Sequence, residues 1–261
     1  MADKSYKSYR QQLNILRSRG MVIGQGSQGS RVMRILEREN YYNVINGYKE
    51  LFLASKATAT ADEAYKTGTT FDEVYALYNF DRELRNIYLK YLLKLENTFK
   101  TVIAHEFSAK YGHDNYLKIE NFDNSTERNI SSSIKLIGDI QQEIARQMSK
   151  HHQVVTHYMT EHGYIPLWVL VNVLTFGKIE NFSVLGIVRA ADGSYTYGTN
   201  DAYAIAIMFA LLLSKSDLND FISSMRTAFG KLQKQLHTIS AADIMSIMGY
   251  DTNWTNLVNL I

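Results

Sequence analysis

Eight cationic residues, Lys4, Lys7, Arg10, Arg17, Arg19, Arg31, Arg34 and Arg38, stand in the first 38 positions against only Asp3 and Glu37. The whole chain carries a formal net charge of +2, so the remainder is net acidic. Cations gathered in one arm neutralise phosphates, and the chemistry they suggest is contact with a polyanion. A solvated helix face is the plainer reading of the same charges. Directly after the arm come Tyr41, Tyr42, Tyr48 and Phe52. Aromatic faces of this kind either stack bases or lock the start of a helix into a core with hydroxyls outward. The core role is the expectation. Asp81 and Arg85 lie four residues apart, with Glu96 three turns farther along the same face. They either set an Arg against a phosphate or form a structural ion pair at the core edge, and the ion pair is expected. Arg82 lies farther round and is expected to be exposed.

Several chemistries are excluded. The chain has no Cys, which removes disulfides, thiolate metal sites and thiol nucleophiles together. The seven His residues are scattered, and none shows metal-ligand spacing, so no metal and no cofactor is expected. Gly24, Gly26 and Gly29 spell a dinucleotide fingerprint, but no βαβ unit surrounds them, so nucleotide binding there is rejected. There is no Walker motif and no nucleophile elbow. The opening MADKSYKSYRQQ lacks the apolar region of a signal peptide. The apolar stretches 167–176 and 202–213 are too short to span a bilayer. A cytoplasmic location without membrane contact is therefore expected.

The elements that must position these groups read as helices. Residues 70–111 run without Pro or Gly, with Val74, Leu77, Leu84, Tyr88, Tyr91, Leu95 and Val102 recurring at helical spacing. Thr70 and Glu73 make a capping box, and Gly112 stands where a helix stops. A helix this long with one apolar stripe requires other helices to cover it, which implies a mainly α bundle. Shorter helices are expected over 6–19, 30–39 and 153–161. Tyr9, Leu13 and Leu16 should point inward in the first of these. A further helix over 126–149 should have Ile130, Ile134, Ile137, Ile140, Ile144 and Met148 inside. Pro166 should open a central buried helix through Trp168, Val171 and Leu174. Toward the C-terminus, Asn200 or Asp201, Ser216, and Ser240 with Asp243 are expected helix caps. Residues 54–68 read as an exposed loop, and 185–188 with 194–197 as a small β-hairpin. As domains, 1–53 reads as a basic N-terminal helical region and 70–261 as a helical bundle, with a single domain as the alternative.

Three blocks in this order carry a family resemblance: NYYNVINGYKELF (residues 40–52), the long helix 70–111, and YIPLWVLVNVLTFGKIENF (residues 164–182). With YTYGTNDAYAIAI near the end, they resemble the AbiD/AbiF group of Abi-like abortive-infection proteins. That group lies within the HEPN class of helical bundles. The resemblance implies a HEPN-type bundle and a metal-independent endoribonuclease toxin of phage defence, acting as a homodimer. An RNA partner, a structured non-coding RNA, would control it. It further implies an R-N-x-x-x-H motif, whose Arg stabilises phosphate charge and whose His acts as general acid or base. The motif belongs between the LWVLVNVLTFG and VRAADGSYTYG segments. In this chain Phe182 is followed almost at once by residues 184–188, and that block is absent near Ser183. No catalytic residue is therefore assigned. Arg146 and His151 repeat the spacing upstream, but in a polar helix end, where they read as chance. The expected RNA contacts are Lys4, Lys7, Arg10, Arg17, Arg19, Arg31, Arg34, Arg82 and Arg85. A catalytically silent RNA-binding or assembly module is the alternative function.

Overall fold

In the computed structural model, residues 5–175, 201–250 and 253–260 are described. They are mainly α-helical, as expected. The chain divides into two compact units, one of residues 1–91 with 197–261 and one of residues 92–196.

In the first unit, α1 (Tyr9–Ser18) starts at a capping box made by Ser8 and Gln11. It buries Leu13 and Leu16, while Tyr9 is exposed rather than inward. Helix α2 (Ser27–Glu39) starts three residues before the expected position, after Gly26 in a positive-φ conformation (+64°). It buries Val32 and Leu36. Residues 42–46 form a π turn and 49–52 a 3₁₀ turn. Next comes a short antiparallel pair, β1 (Leu53–Ser55) with β2 (Ala64–Tyr65). Residues 54–62 are exposed, as expected, but residues 63–66 of the expected loop are not: Tyr65 and Glu63 are buried, and Glu63 accepts hydrogen bonds from Arg19 and Lys49. Local polarity hid this, because the partners of Glu63 lie 44 and 14 residues away. The hairpin expected at 185–197 lies outside the described residues.

Helix α3 (Phe71–Tyr111) spans 41 residues and stops at Gly112, whose φ of +91° suits a residue without Cβ. Its start is the expected capping box. Glu73 accepts from Thr70 N–H at 3.0 Å, and Thr70 Oγ1 accepts from Glu73 N–H at 3.2 Å. Val74, Leu77, Tyr88, Tyr91 and Leu95 are buried, but Val102 is 51% exposed. The rings of Tyr88 and Tyr91 meet Phe209 of α7 (Asp201–Leu212) and Phe221 of α8 (Lys215–Gln233) at centroid distances of 5.3–6.0 Å. Phe229 gathers Phe80, Tyr250 and Trp254 in the same way. The N-cap of α8 is Ser214, two residues before the expected Ser216. Helix α9 (Ala241–Ile247) starts at the Ser240–Asp243 capping box, and Gly249 follows with positive φ.

In the second unit, α4 (Glu127–Ser149) follows the expected stripe in its second half, where Ile140 is core and Ile144 and Met148 pack against it, but not in its first half. Ser133, Leu136, Ile140 and Glu143 are buried, whereas Ile130 is exposed and Ile134 is 57% exposed. Helix α5 (Gln153–His162) ends on Gly163 in a left-handed conformation. The central buried helix expected after Pro166 is instead one turn, α6 (Leu167–Leu170), followed by further turns to Leu174. Leu167, Leu170, Val171 and Leu174 join the core of this unit with Ile140, Val155 and Tyr116. Trp168 does not, and is 52% exposed. Continuous apolarity marks burial, but a helical turn packed on one side leaves a side chain such as Trp168 on the other.

Candidate functional site

The expected cations separate by what holds them. Lys4 lies outside the described residues. Lys7 and Arg10 are exposed on the N-terminal arm. Arg17 is a brace: its guanidinium donates to the carbonyls of Ile23 at 3.1 Å and Gly24 at 2.6 Å. Arg19 is bound to the buried Glu63 at 2.6 Å, beside Lys49. Both therefore direct guanidinium donors at this unit's own backbone or carboxylates.

The other five arginines share one surface of the first unit. Helix α2 places Arg31, Arg34 and Arg38 at spacings of three and four, on one face, where they border a recess of about 310 Å³ with Glu39 and Tyr75. A second recess of about 790 Å³ begins at the same Glu39 and carries Tyr42, Tyr48, Tyr78, Arg82 and Arg85. On the other side, Arg31 and Tyr75 also border a recess of about 580 Å³ that includes Lys231, Lys234 and His237. The three recesses share residues and form a continuous track across α2, the start of α3 and the end of α8.

Acids on the track hold part of its charge. Arg31 pairs with Asp72 at 2.6 Å, Arg82 with Glu39 at 3.1 Å and Lys231 with Glu83 at 2.8 Å. Arg85 pairs with Asp81 at 2.5 Å, the structural ion pair expected from their spacing. Glu96 is instead paired with Lys100. Asp81 also accepts from the Tyr48 hydroxyl at 2.6 Å. Burial, and then this bond to a carboxylate, push the Tyr48 phenol above its ordinary range and keep it protonated. Glu39 accepts from Tyr78, whose ring lies 5.5 Å beneath the Arg82 guanidinium. Arg34, Arg38 and Lys234 are exposed and have no ion-pair partner among the described residues. The early aromatics divide: Phe52 is core, Tyr48 is tethered to Asp81, and Tyr42 is 69% exposed.

This arrangement pairs free guanidinium and ammonium groups with an open phenol ring. It can take phosphates along a strand and stack a base. Lys231, Lys234, His237 and Tyr75 are members that sequence reasoning did not select. Helical spacing on α8 marks Lys231 and Lys234 as surface residues, but only folding brings them beside Arg31.

The upstream Arg–His spacing is not assembled as a pair. Arg146 Nε donates to both oxygens of the buried Glu143 at 3.1 Å, and Gln147 donates to the same carboxylate. His151 sits past the end of α4 with a φ of +53°. Among the described residues no group of three or more His, Asp and Glu could hold a metal ion, and no helix is long and apolar enough to cross a membrane. The interval around Ser183, where the resemblance puts the catalytic motif, lies outside the described residues.

No curated protein and no solved structure matches the chain. A family profile described as Abi-like protein matches residues 34–240, well over half the sequence, from the second half of α2 through the long α3 to Ser240, the N-cap of α9. With its helical architecture and the abortive-infection blocks in their expected order, the chain belongs to the Abi-like family of phage-defence proteins.

Proposed function

We propose that this chain acts in phage defence by engaging RNA along the cationic track, as a HEPN-type protein whose activity an RNA partner controls. The supporting observation is the run of joined recesses in which Arg34, Arg38 and Lys234 are unpaired and Tyr42 presents an open ring. Phosphate neutralisation releases counterions, so binding through this track must weaken as salt rises. The homodimer implied by the family resemblance is part of the same reading.

A catalytically silent binding module is the second reading. It is favoured by the engagement of Arg146 with Glu143, which leaves the one Arg–His spacing in the described residues without a free guanidinium. Backbone binding by Lys and Arg would persist without a general acid or base.

Titration of a labelled structured RNA at several salt concentrations tests the binding claim. Log Kd should rise linearly with log salt, and Arg34→Ala with Arg38→Ala should lower that slope by roughly two. A complex indifferent to salt overturns the reading. Incubation of the same RNA in chelator separates the two alternatives: cleavage supports the ribonuclease, and an intact RNA in a salt-sensitive complex supports the silent module.

A further inference from the structure

The second unit holds a recess that the cationic track does not touch. It measures about 740 Å³. One wall is the last three turns of α3, where Ala104, Ser108, Ala109 and Gly112 keep the surface low. The facing wall is the turn carrying Trp168 and Asn172. Two hydrogen bonds fix the walls to each other. Leu167 N–H donates to the His113 carbonyl at 2.8 Å, and the Tyr116 hydroxyl donates to the Ile165 carbonyl at 2.8 Å. The recess is thus built before any ligand arrives, which lowers the ordering cost of binding.

Its chemistry is that of a neutral, flat, hydrogen-bonding guest. Trp168 is half exposed although core residues flank it on both sides in the chain. The His113 ring lies 5.9 Å from it, and Tyr164 and His162 continue the row at 5.1 and 6.2 Å. The one ammonium on the wall, Lys100, is bound to Glu96 at 2.7 Å and nearly covered, so the recess offers little net charge to a phosphate. Amide groups are available instead. Asn97 makes no side-chain hydrogen bond among the described residues, and Asn172 uses only its NH₂, toward the Trp168 and Val169 carbonyls. The Ser108 hydroxyl on the same wall is buried without a partner. Open aromatic faces with unspent amide donors and acceptors, and no free charge, are what a nucleobase requires.

We propose that this recess binds a nucleobase, stacked on Trp168 and read by the Asn172 amide. The base comes either from a single-stranded RNA or from a free nucleoside. The site goes beyond the phosphate track and does not depend on it.

Tryptophan fluorescence of the full chain reports directly, because the other tryptophan, Trp254, is buried in the first unit. Adenosine and a short oligoadenylate are titrated separately, with adenosine taken to millimolar concentrations. Saturable quenching by adenosine identifies the free nucleoside as a sufficient guest, and quenching by the oligomer alone identifies a base within a strand. Either result supports the site. Trp168→Ala should weaken oligomer binding on the order of tenfold. Ala109→Leu, on an exposed helical position, should fill the recess and reduce quenching while thermal stability stays unchanged. Arg34→Ala with Arg38→Ala should leave adenosine quenching intact, so loss of the track and loss of this site are told apart. Absence of saturable quenching by both ligands, with oligomer affinity unchanged in a folded Trp168→Ala protein, overturns the proposal.

Discussion

Glu73 has no exposed surface, yet its carboxylate is surrounded by donors. One oxygen accepts from Thr70 and caps α3; the other accepts from His237 N–H at 2.7 Å, Thr238 N–H at 2.6 Å and Thr238 Oγ1 at 2.9 Å. Burial alone would raise its pKa, but these hydrogen bonds outweigh it and hold the carboxyl below the ordinary glutamate range. A depressed native pKa gives stability that is complete above the unfolded value and is lost as pH falls through the native one. Thermal denaturation from about pH 7 to about pH 3 should therefore show an acid limb that Glu73→Gln flattens. Glu73→Ala, which strands several buried donors, should cost on the order of 3 kcal/mol in urea denaturation at neutral pH. Arg17 is a parallel case among the expected RNA contacts. Because its donors are held by the Ile23 and Gly24 carbonyls, Arg17→Ala should lower stability by about 2 kcal/mol and leave the salt slope of RNA binding unchanged. Arg146→Ala with His151→Ala should leave RNA binding unchanged in the same titration, since Glu143 already holds the guanidinium.

The position of α4 illustrates how an element is oriented. Six apolar residues at helical spacing suggest one stripe, of which Ile140, Ile144 and Met148 meet the core, while Ser133, Leu136 and Glu143 are buried in place of Ile130 and Ile134. The same face buries Glu143, with Arg146 and Gln147 bound to it. A buried carboxylate stripped of such partners is strongly destabilising. The test is a pair of variants followed by urea denaturation. Leu136→Ala should destabilise by about 2–5 kcal/mol, and Ile134→Gln should change stability by less than about 0.5 kcal/mol. The reverse order would restore the stripe expected from spacing. Helix α3 contrasts with this. Its cap, stop and first five turns of apolar residues agree with spacing, because Thr70, Glu73 and Gly112 are local signals that need no distant partner.

For the molecule as a whole, the cations of the first 38 residues divide between internal bonds and an open surface that also takes in residues from far along the chain. The first 38 residues carry the surplus, but Arg17 and Arg19 are consumed by internal bonds. The track recruits Lys231 and Lys234 from about 200 residues away in the chain. Lys234→Ala should therefore weaken RNA binding in the same direction as Arg34→Ala, and by a similar factor, when both are titrated at one salt concentration. An unchanged affinity would confine any phosphate contact to α2 and α3.

Local chemistry in the sequence determined the helical class, the caps at Thr70 and Ser240, the stop at Gly112, the Asp81–Arg85 pair and the membership of an abortive-infection family. Each of these rests on residues within a few positions of one another, or on the order of blocks along the chain. The tertiary structure alone decided which cations remain free, that the first half of α4 buries Ser133 and Leu136 rather than Ile130 and Ile134, that Glu63 and Glu73 are buried anchors, and that Trp168 stands open beside His113. Those outcomes depend on partners far away in sequence. Burial and pairing are properties of three-dimensional neighbours, and helical periodicity carries no information about who those neighbours are.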